Sequence, residues 1–390
     1  MSETKITKIE TLCLSRMHEP ERQWFTHRYR VVKADCAIVV VSTDAGVTGI
    51  GEACAYGVPS HIREWVAWLA PGLIGRDPCD PALAPHPNGR TRAFDCAVGG
   101  IDCALWDLRA KLADRRVCDL LADRAPDQVR LYASGGCRYD WRAHPEQLID
   151  EVQEYIAAGF SACKVRIGTD WDWDGVTVDR FLGLMRDLAQ TVAGRIELMV
   201  DGNQRLTFDQ ALAIAQELDR LGFVWFEEPI PQEDIDGYAR LNAAVGMPIT
   251  GGERFTTLEQ FRPYLERHAY DIIQPDVGWG GISEIMRIAE AAARYGVEFC
   301  PHGWHNGLMV LANAHALAAQ SHPRVLELCM HQGPLQWEIL ADPPAIQDGW
   351  LALPDRPGLG AALAEGLVER FPYIEGHYAI EIERDIVRSA

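Results

Sequence analysis

From about residue 128 onward, short apolar runs alternate with longer stretches of helical period. The runs read as strands at 129–134, 161–167, 196–201, 223–228, 248–252, 271–275, 297–301 and 324–328. Helical stretches stand between them, for example at 145–158, 176–193, 207–221 and 281–295. Ala158-Gly159 and Tyr295-Gly296 place glycine where a helix C-cap needs it. Eight strands with helices between them predict an α/β fold of the (β/α)8 type, a TIM-like barrel. A doubly wound open sheet is the alternative, but no G-x-G-x-x-G follows the first strand.

Upstream the pattern differs. Residues 5–15 and 36–43 read as strands, the second through Ala37-Ile38-Val39-Val40-Val41 to a turn at Asp44-Ala45-Gly46. Between them Arg16 to Arg30 reads as a polar loop bearing Trp24, Phe25, His27 and Tyr29. A second loop starts at Cys54 and includes Tyr56. Loops of this composition serve as lids or as exposed connections. Residues 61–70 and 91–121 read as helices, with Phe94, Val98, Ile101, Leu105 and Leu108 on one buried face. Arg124-Ala125-Pro126-Asp127 breaks that pattern. The expected division is therefore 1–126, a barrel at 127–355, and a segment at 356–390. Pro354 to Gly360 reads as a rigid linker, and Tyr378-Ala379-Ile380-Glu381-Ile382 as a strand returning to the N-terminal unit.

Composition narrows the class. Hydrophobic content of 48% and charged content of 24% are those of a folded protein. A net charge of −19 with no basic block argues against nucleic acid or an acidic membrane surface as partner. It leaves an anionic small molecule possible, because a local set of cations can reverse the field in a pocket. Eleven cysteines without a C-x-x-C pair read as reduced, mostly buried thiols of a cytoplasmic protein. Met1 to Glu10 lacks the apolar core of a signal peptide, and no apolar stretch reaches the ~18 residues of a spanning helix.

The apolar runs carry the chemistry at their ends. Asp201, Glu227 and Glu253 each close a run, at intervals of 26 residues. Acids on the ends of successive parallel strands point into one pocket, and three hard oxygen donors there suit Mg²⁺. Asp276, His302 and Glu327 continue the phase at intervals of 23, 26 and 25. A single acid after a strand is ordinarily a helix N-cap, but six groups in phase exceed that explanation. Lys164-Val165-Arg166 lies on an earlier strand, with both cations on one face. They serve a bound carboxylate or pair with barrel acids. Asp276 beside His302 makes a base dyad, since a carboxylate on one ring nitrogen raises the basicity of the other. A purely structural histidine is the competing role. Asn203, Trp304, His305, Trp24, His27 and Tyr56 are the expected substrate contacts. Glu327 could donate at a developing oxyanion if its pKa were raised.

With these groups the chain resembles the enolase superfamily, in its mandelate racemase subgroup, over nearly its whole length. The resemblance rests on Ala97 to Asp107, the Asp, Glu-Glu-Pro and Gly-Glu motifs, the Asp–His dyad and Pro357-Gly358-Leu359-Gly360. It implies one Mg²⁺ per active site on Asp201, Glu227 and Glu253. It implies Asp276 and His302 as the base dyad, Glu327 as an acid or hydrogen-bond donor, and Lys164 as the neutraliser of the substrate carboxylate. It also implies an α+β capping domain whose lids are the Arg16–Arg30 and Cys54–Ser60 loops, and assembly as a homo-oligomer. The chemistry is abstraction of a proton α to a carboxylate, with Mg²⁺ and Lys164 stabilising the enediolate; this strategy is the superfamily's own.

One position departs from the family. The usual motif on the second barrel strand is Lys-x-Lys, whose second lysine is a base; here it is Arg166. Arginine stays protonated at working pH. A two-base racemase is therefore disfavoured, and a one-base dehydratase of a sugar acid, aldonate or aldarate, is expected. Lactone cycloisomerisation or epimerisation is the alternative, and a silent metabolite-binding barrel is the remaining class. Dipeptide epimerases and muconate-type enzymes place a lysine where this chain has Asp276, which argues against both.

Overall fold

A computed structural model describes residues 4–25, 29–55, 58–83, 85–137, 141, 143–167, 176–331 and 333–381. All eight barrel strands form: Gln128–Ser134, Ala162–Arg166, Glu197–Asp201, Trp225–Glu227, Ile249–Gly251, Ile272–Ile273, Glu298–Phe299 and Leu326–Cys329. The first seven pair in parallel in sequence order, and the eighth returns to pair in parallel with the first. Register sets the site. Arg166 lies beside Asp201, and Asp201 beside Glu227, so the polar strand ends share one level. Tyr132, Met199, Trp225, Ile272 and Cys300 fill a buried cluster inside the barrel.

The N-terminal unit begins with a three-stranded antiparallel sheet of Ile6–Met17, Lys33–Thr43 and Thr48–Ala53. The helix Arg92–Leu112 packs against it. The helix expected over 91–121 is two, because Asp114 takes a positive φ and a second helix starts at Val117. Glycine permits the close packing. A Cβ on Gly51 would sit 2.3 Å from the Gly100 carbonyl and 2.5 Å from the Ala104 amide nitrogen. On its other side the same helix meets the barrel, where Gly99 lies against Val277 and Gly281.

Three sequence expectations change. The span Arg16 to Arg30 contains strands Trp24–Phe25 and Tyr29–Val31, which pair with each other. Ala379–Glu381 adds to Tyr29–Val31, so the C-terminal segment is stitched to this hairpin. Just before the expected linker, Ile346–Gln347 and Trp350–Ala352 form an unexpected hairpin on the first barrel strand. The helix expected from 281 starts at Val277 and kinks at Gly281. All eleven cysteines are unpaired, and Cys79 is the exposed one. Among the described residues no helix is long and apolar enough to cross a membrane.

Two outcomes follow from this packing. Gly51→Ala forces strand and helix apart and lowers stability by about 1–3 kcal/mol, read from the denaturant midpoint. His315 is buried in the helix Gly307–Ala318, and its Nδ1 accepts the Cys118 N–H at 3.3 Å. Burial holds its pKa down at about 4, against 6.5 for the free side chain. Above pH 6.5 the imidazole is neutral in both states. Below it the unfolded chain binds a proton that the folded chain refuses until about pH 4, so stability falls through that window. His315→Gln flattens this acid limb; an unchanged slope would remove His315 as its cause.

Candidate active site

The site is built on buried carboxylates that outnumber their fixed cations. Asp201, Glu227, Glu228, Asp276 and Glu327 are buried at the barrel mouth, and Glu253 is nearly so. Lys164, fully buried, donates to Glu227 Oε1 at 2.5 Å and lies 3.0 Å from Glu327 Oε1. Burial opposes its charge, but Glu227, Glu327 and Asp201 raise its pKa well above the ordinary lysine value. Glu227 is still pushed up to about 8, by burial and by Asp201, Glu327 and Glu253, despite Lys164. Lysine alone does not balance this set. A divalent cation would do so, and the donors are hard carboxylate oxygens of the kind Mg²⁺ prefers. Asp201, Glu227 and Glu253 therefore fit such an ion.

Neighbours aim the ligand candidates. Gln274 donates to Glu227 Oε2 at 2.6 Å and accepts from Thr250 Oγ1 at 2.5 Å. Asn203, at positive φ, donates its backbone N–H and its Nδ2–H to the two Asp201 oxygens, each at 2.7 Å. Glu228 accepts from the Gly252 N–H at 3.1 Å and from Gln204 Nε2. Sequence reasoning assigned no role to Glu228, Gln204, Gln274 or Asn313. The Glu227-Glu228-Pro229 doublet was the one available signal for the first of these.

His302 Nδ1 lies 2.7 Å from Asp276 Oδ2, which leaves Nε2 directed to Glu253 at 3.6 Å and Glu327 at 3.9 Å. Burial works against the imidazolium, but Glu327, Asp276 and Glu253 bring its pKa up to about 10. Asp276 is also the N-cap of Val277–Arg294, accepting from Gly278 N–H, and Asn313 donates to it at 3.1 Å. The capping and dyad readings thus describe the same carboxylate.

His305 is placed differently from its expected role as a substrate contact. It lines a separate small cavity with His18, Lys33, Asp35, Glu52 and Asn306. Its Nε2 is 2.7 Å from the same Asp276 Oδ2. Asp276, His302 and His305 are also close enough to be considered as ion ligands. Both imidazoles approach one oxygen at hydrogen-bonding distance, and Asp276 raises the pKa of each once burial is overcome. That geometry is a shared proton network rather than a chelate, which would direct its lone pairs at a common point.

Glu327 accepts from the Gly303 N–H at 2.9 Å. Burial is outweighed by Lys164 and His302, which hold its pKa down at about 2. The raised pKa that a proton-donating role would need is absent. Arg166 stacks 4.2 Å over the Trp304 ring, with its Nε 3.6 Å from Asp201. Trp24 meets Trp304 edge-on at 5.3 Å, so the hairpin closes directly over this arginine. Arg166, Asn203, Glu253, His302, Trp304 and Trp24 share the wall of an open cavity of about 480 Å³. The expected contacts His27 and Tyr56 lie outside the described residues.

Gln274→Leu leaves Glu227 without its aiming donor. It should weaken Mg²⁺ affinity about 10–100-fold, measured by calorimetry, while Glu253→Gln removes a ligand and weakens it at least as much. Unchanged affinity in both would place the ion elsewhere.

Comparison with known proteins agrees along the whole chain. Residues 9–122 match the mandelate racemase / muconate lactonizing enzyme N-terminal domain, and 147–367 match the enolase C-terminal domain-like family. An arabinonate dehydratase of Saccharolobus solfataricus is 31% identical, covering 85% of this chain and 89% of its own length. A D-galactarolactone cycloisomerase of Agrobacterium fabrum is 30% identical, covering 94% and 98%. The crystal structure of the 3,6-anhydro-D-galactonate cycloisomerase of Zobellia galactanivorans superposes with a TM-score of 0.81 at 27% identity, covering 95% and 100%. With its barrel, its acidic strand ends and these matches, the chain belongs to the mandelate racemase and muconate lactonizing enzyme family of the enolase superfamily.

Proposed function

We propose that this chain is a Mg²⁺-dependent hydro-lyase acting on a sugar acid. It removes the proton α to the carboxylate and expels the β-hydroxyl, giving a 2-keto-3-deoxy acid. The observation that carries the reading is the asymmetry of the cavity. His302 presents Nε2 to one side, while the strand position that could bear an opposing base holds Arg166. Burial would lower the Arg166 pKa, but Cys137, Asp201 and Glu253 keep it above the ordinary arginine value, so it remains a cation.

Asp201, Glu227 and Glu253 would hold the ion, which when bound supplies positive charge to the substrate carboxylate and so acidifies its α-C–H bond. Lys164 adds a fixed positive charge beneath the same carboxylates. In its neutral form His302 is held by Asp276 with the proton on Nδ1, so that Nε2 can take the α-proton. The imidazolium then returns that proton to the β-oxygen. The C–O bond breaks, water leaves, and the resulting enol becomes the ketone. Glu327 keeps Lys164 charged and stabilises the His302 imidazolium once it has formed, and Arg166 binds a distal hydroxyl or the leaving group.

The arabinonate dehydratase and a D-galactonate dehydratase of Xanthomonas oryzae, 29% identical, support dehydration. A second reading, lactone cycloisomerisation, draws on the two cycloisomerases, because the same single base could serve loss of a ring oxygen. Parallel incubation of aldonic and aldaric acids and of their lactones with Mg²⁺, followed by assay for 2-keto-3-deoxy acids, separates the two, because only the free acids must lose water to give such a product. We expect such a product, and His302→Asn should lower its rate about 10²–10⁴-fold. Product from the lactones alone, as an isomer formed without loss of water, would select the second reading, and no turnover of any acid or lactone would overturn both.

A further inference from the structure

The outer wall of the cavity carries two arginines that the reaction above does not use. Arg92 starts the helix Arg92–Leu112, and Arg254 follows the fifth barrel strand. Both line the same cavity as His302 and Arg166, together with Tyr29, Trp279 and Tyr378. They converge from distant segments. The phenol of Tyr378 is pushed up by burial, and the charges of Arg92 and Arg254 both act on it in the opposite direction. Tyr378 belongs to the C-terminal segment, whose backbone carbonyl accepts from Val32 and Lys33 N–H groups at 3.0 and 3.1 Å.

Two guanidinium groups near one phenol repel each other unless an anion lies between them. The acid near Arg254 is Glu253, 3.6 Å away and already committed to the inner site. Arg92 makes no ion pair among the described residues. Its guanidinium carbon lies over the Trp279 ring, 4.5 Å from the centroid. Stacking uses the face of the guanidinium and leaves its N–H donors in the plane, where a carboxylate is bound by two parallel bonds. Trp279 thus holds Arg92 at the cavity wall without consuming its donors.

We propose that Arg92 and Arg254 form a second carboxylate subsite, so that the substrate is a dicarboxylate: an aldaric acid, with its reacting end at His302 and its far carboxylate at the arginines. This rests on the reading of the inner site as a carbon-acid centre and names its substrate class. The cavity, about 480 Å³, is large enough for an extended acid reaching from one end to the other. The dianion also suits a chain of net charge −19, because the local cations, not the overall field, must hold it.

The test is kinetic and thermodynamic. The Mg²⁺-loaded full chain is assayed on pairs of aldonic and aldaric acids of the same configuration. The diacid should be favoured about 10–100-fold in kcat/KM, the worth of a charge-assisted bond pair. Arg92→Met should narrow that ratio mainly through KM, and Arg92→Lys should restore part of it. Aldonates turned over as well as or better than their aldaric partners would overturn the subsite while leaving the dehydration reading intact. If neither class reacts, the reaction assignment fails, and calorimetry decides the subsite alone. Glutarate binding about tenfold or more tighter than butyrate, with the difference lost in Arg92→Met, supports it; equal affinities overturn it.

Discussion

Buried carboxylates crowded at the barrel mouth are the constraint on which the rest of this structure depends. Successive parallel strands carry acids at their ends, and register sets Asp201 beside Glu227 at one level. Burial and mutual repulsion would protonate them, as the upward shift of Glu227 shows. Lys164 relieves part of that repulsion by bridging Glu227 and Glu327. Gln274, Asn203 and the Gly252 N–H spend their donors on the remaining oxygens. The acids are thereby aimed and kept available to a cation, which is the property a carbon-acid catalyst needs from its scaffold.

The base is embedded in the same balance. Asp276 caps a helix, receives Asn313 and is approached by two imidazoles. So many partners hold its pKa well below the usual carboxylate range, with burial the opposing effect. Its charge is therefore fixed, and so is the orientation of His302. Arg166 is fixed in another way, stacked between the Trp304 ring and the acidic floor. Trp24 of the hairpin packs on Trp304, so the hairpin and Arg166 share one aromatic contact.

Family membership explains the inner site better than the outer one. Relatives near 30% identity include both dehydratases and cycloisomerases, which share an early proton abstraction in the scheme proposed here and would differ in the leaving group. The floor of strand ends serves either outcome. Discrimination must come from the wall, where the helix Arg92–Leu112, the strand Tyr29–Val31 and the C-terminal segment meet. These elements belong to three separate parts of the chain, so a substitution in any one can change what the site accepts without touching its chemistry.

How much of this was legible in the sequence follows from the range of each interaction. The eight strands and the phase of Asp201, Glu227, Glu253, Asp276, His302 and Glu327 could be read directly, because strand period and the β/α repeat are local. So could the fact that Arg166 is no base, since a guanidinium keeps its proton in any surrounding. The sharing of Asp276 between His302 and His305 could not, because it depends on how the loop after the seventh strand turns back. Glu327 was open to a raised or a lowered pKa until its neighbours were placed, and Lys164 with His302 decided for the lowered one. The hairpin within Arg16 to Arg30 looked like a loop, since two- and three-residue strands carry no period of their own. Composition and spacing by themselves determined the barrel and the acids at its strand ends. Only the tertiary structure brought Tyr378 to Arg92 and Arg254, because contacts across hundreds of residues are set by packing and leave no local pattern in the chain.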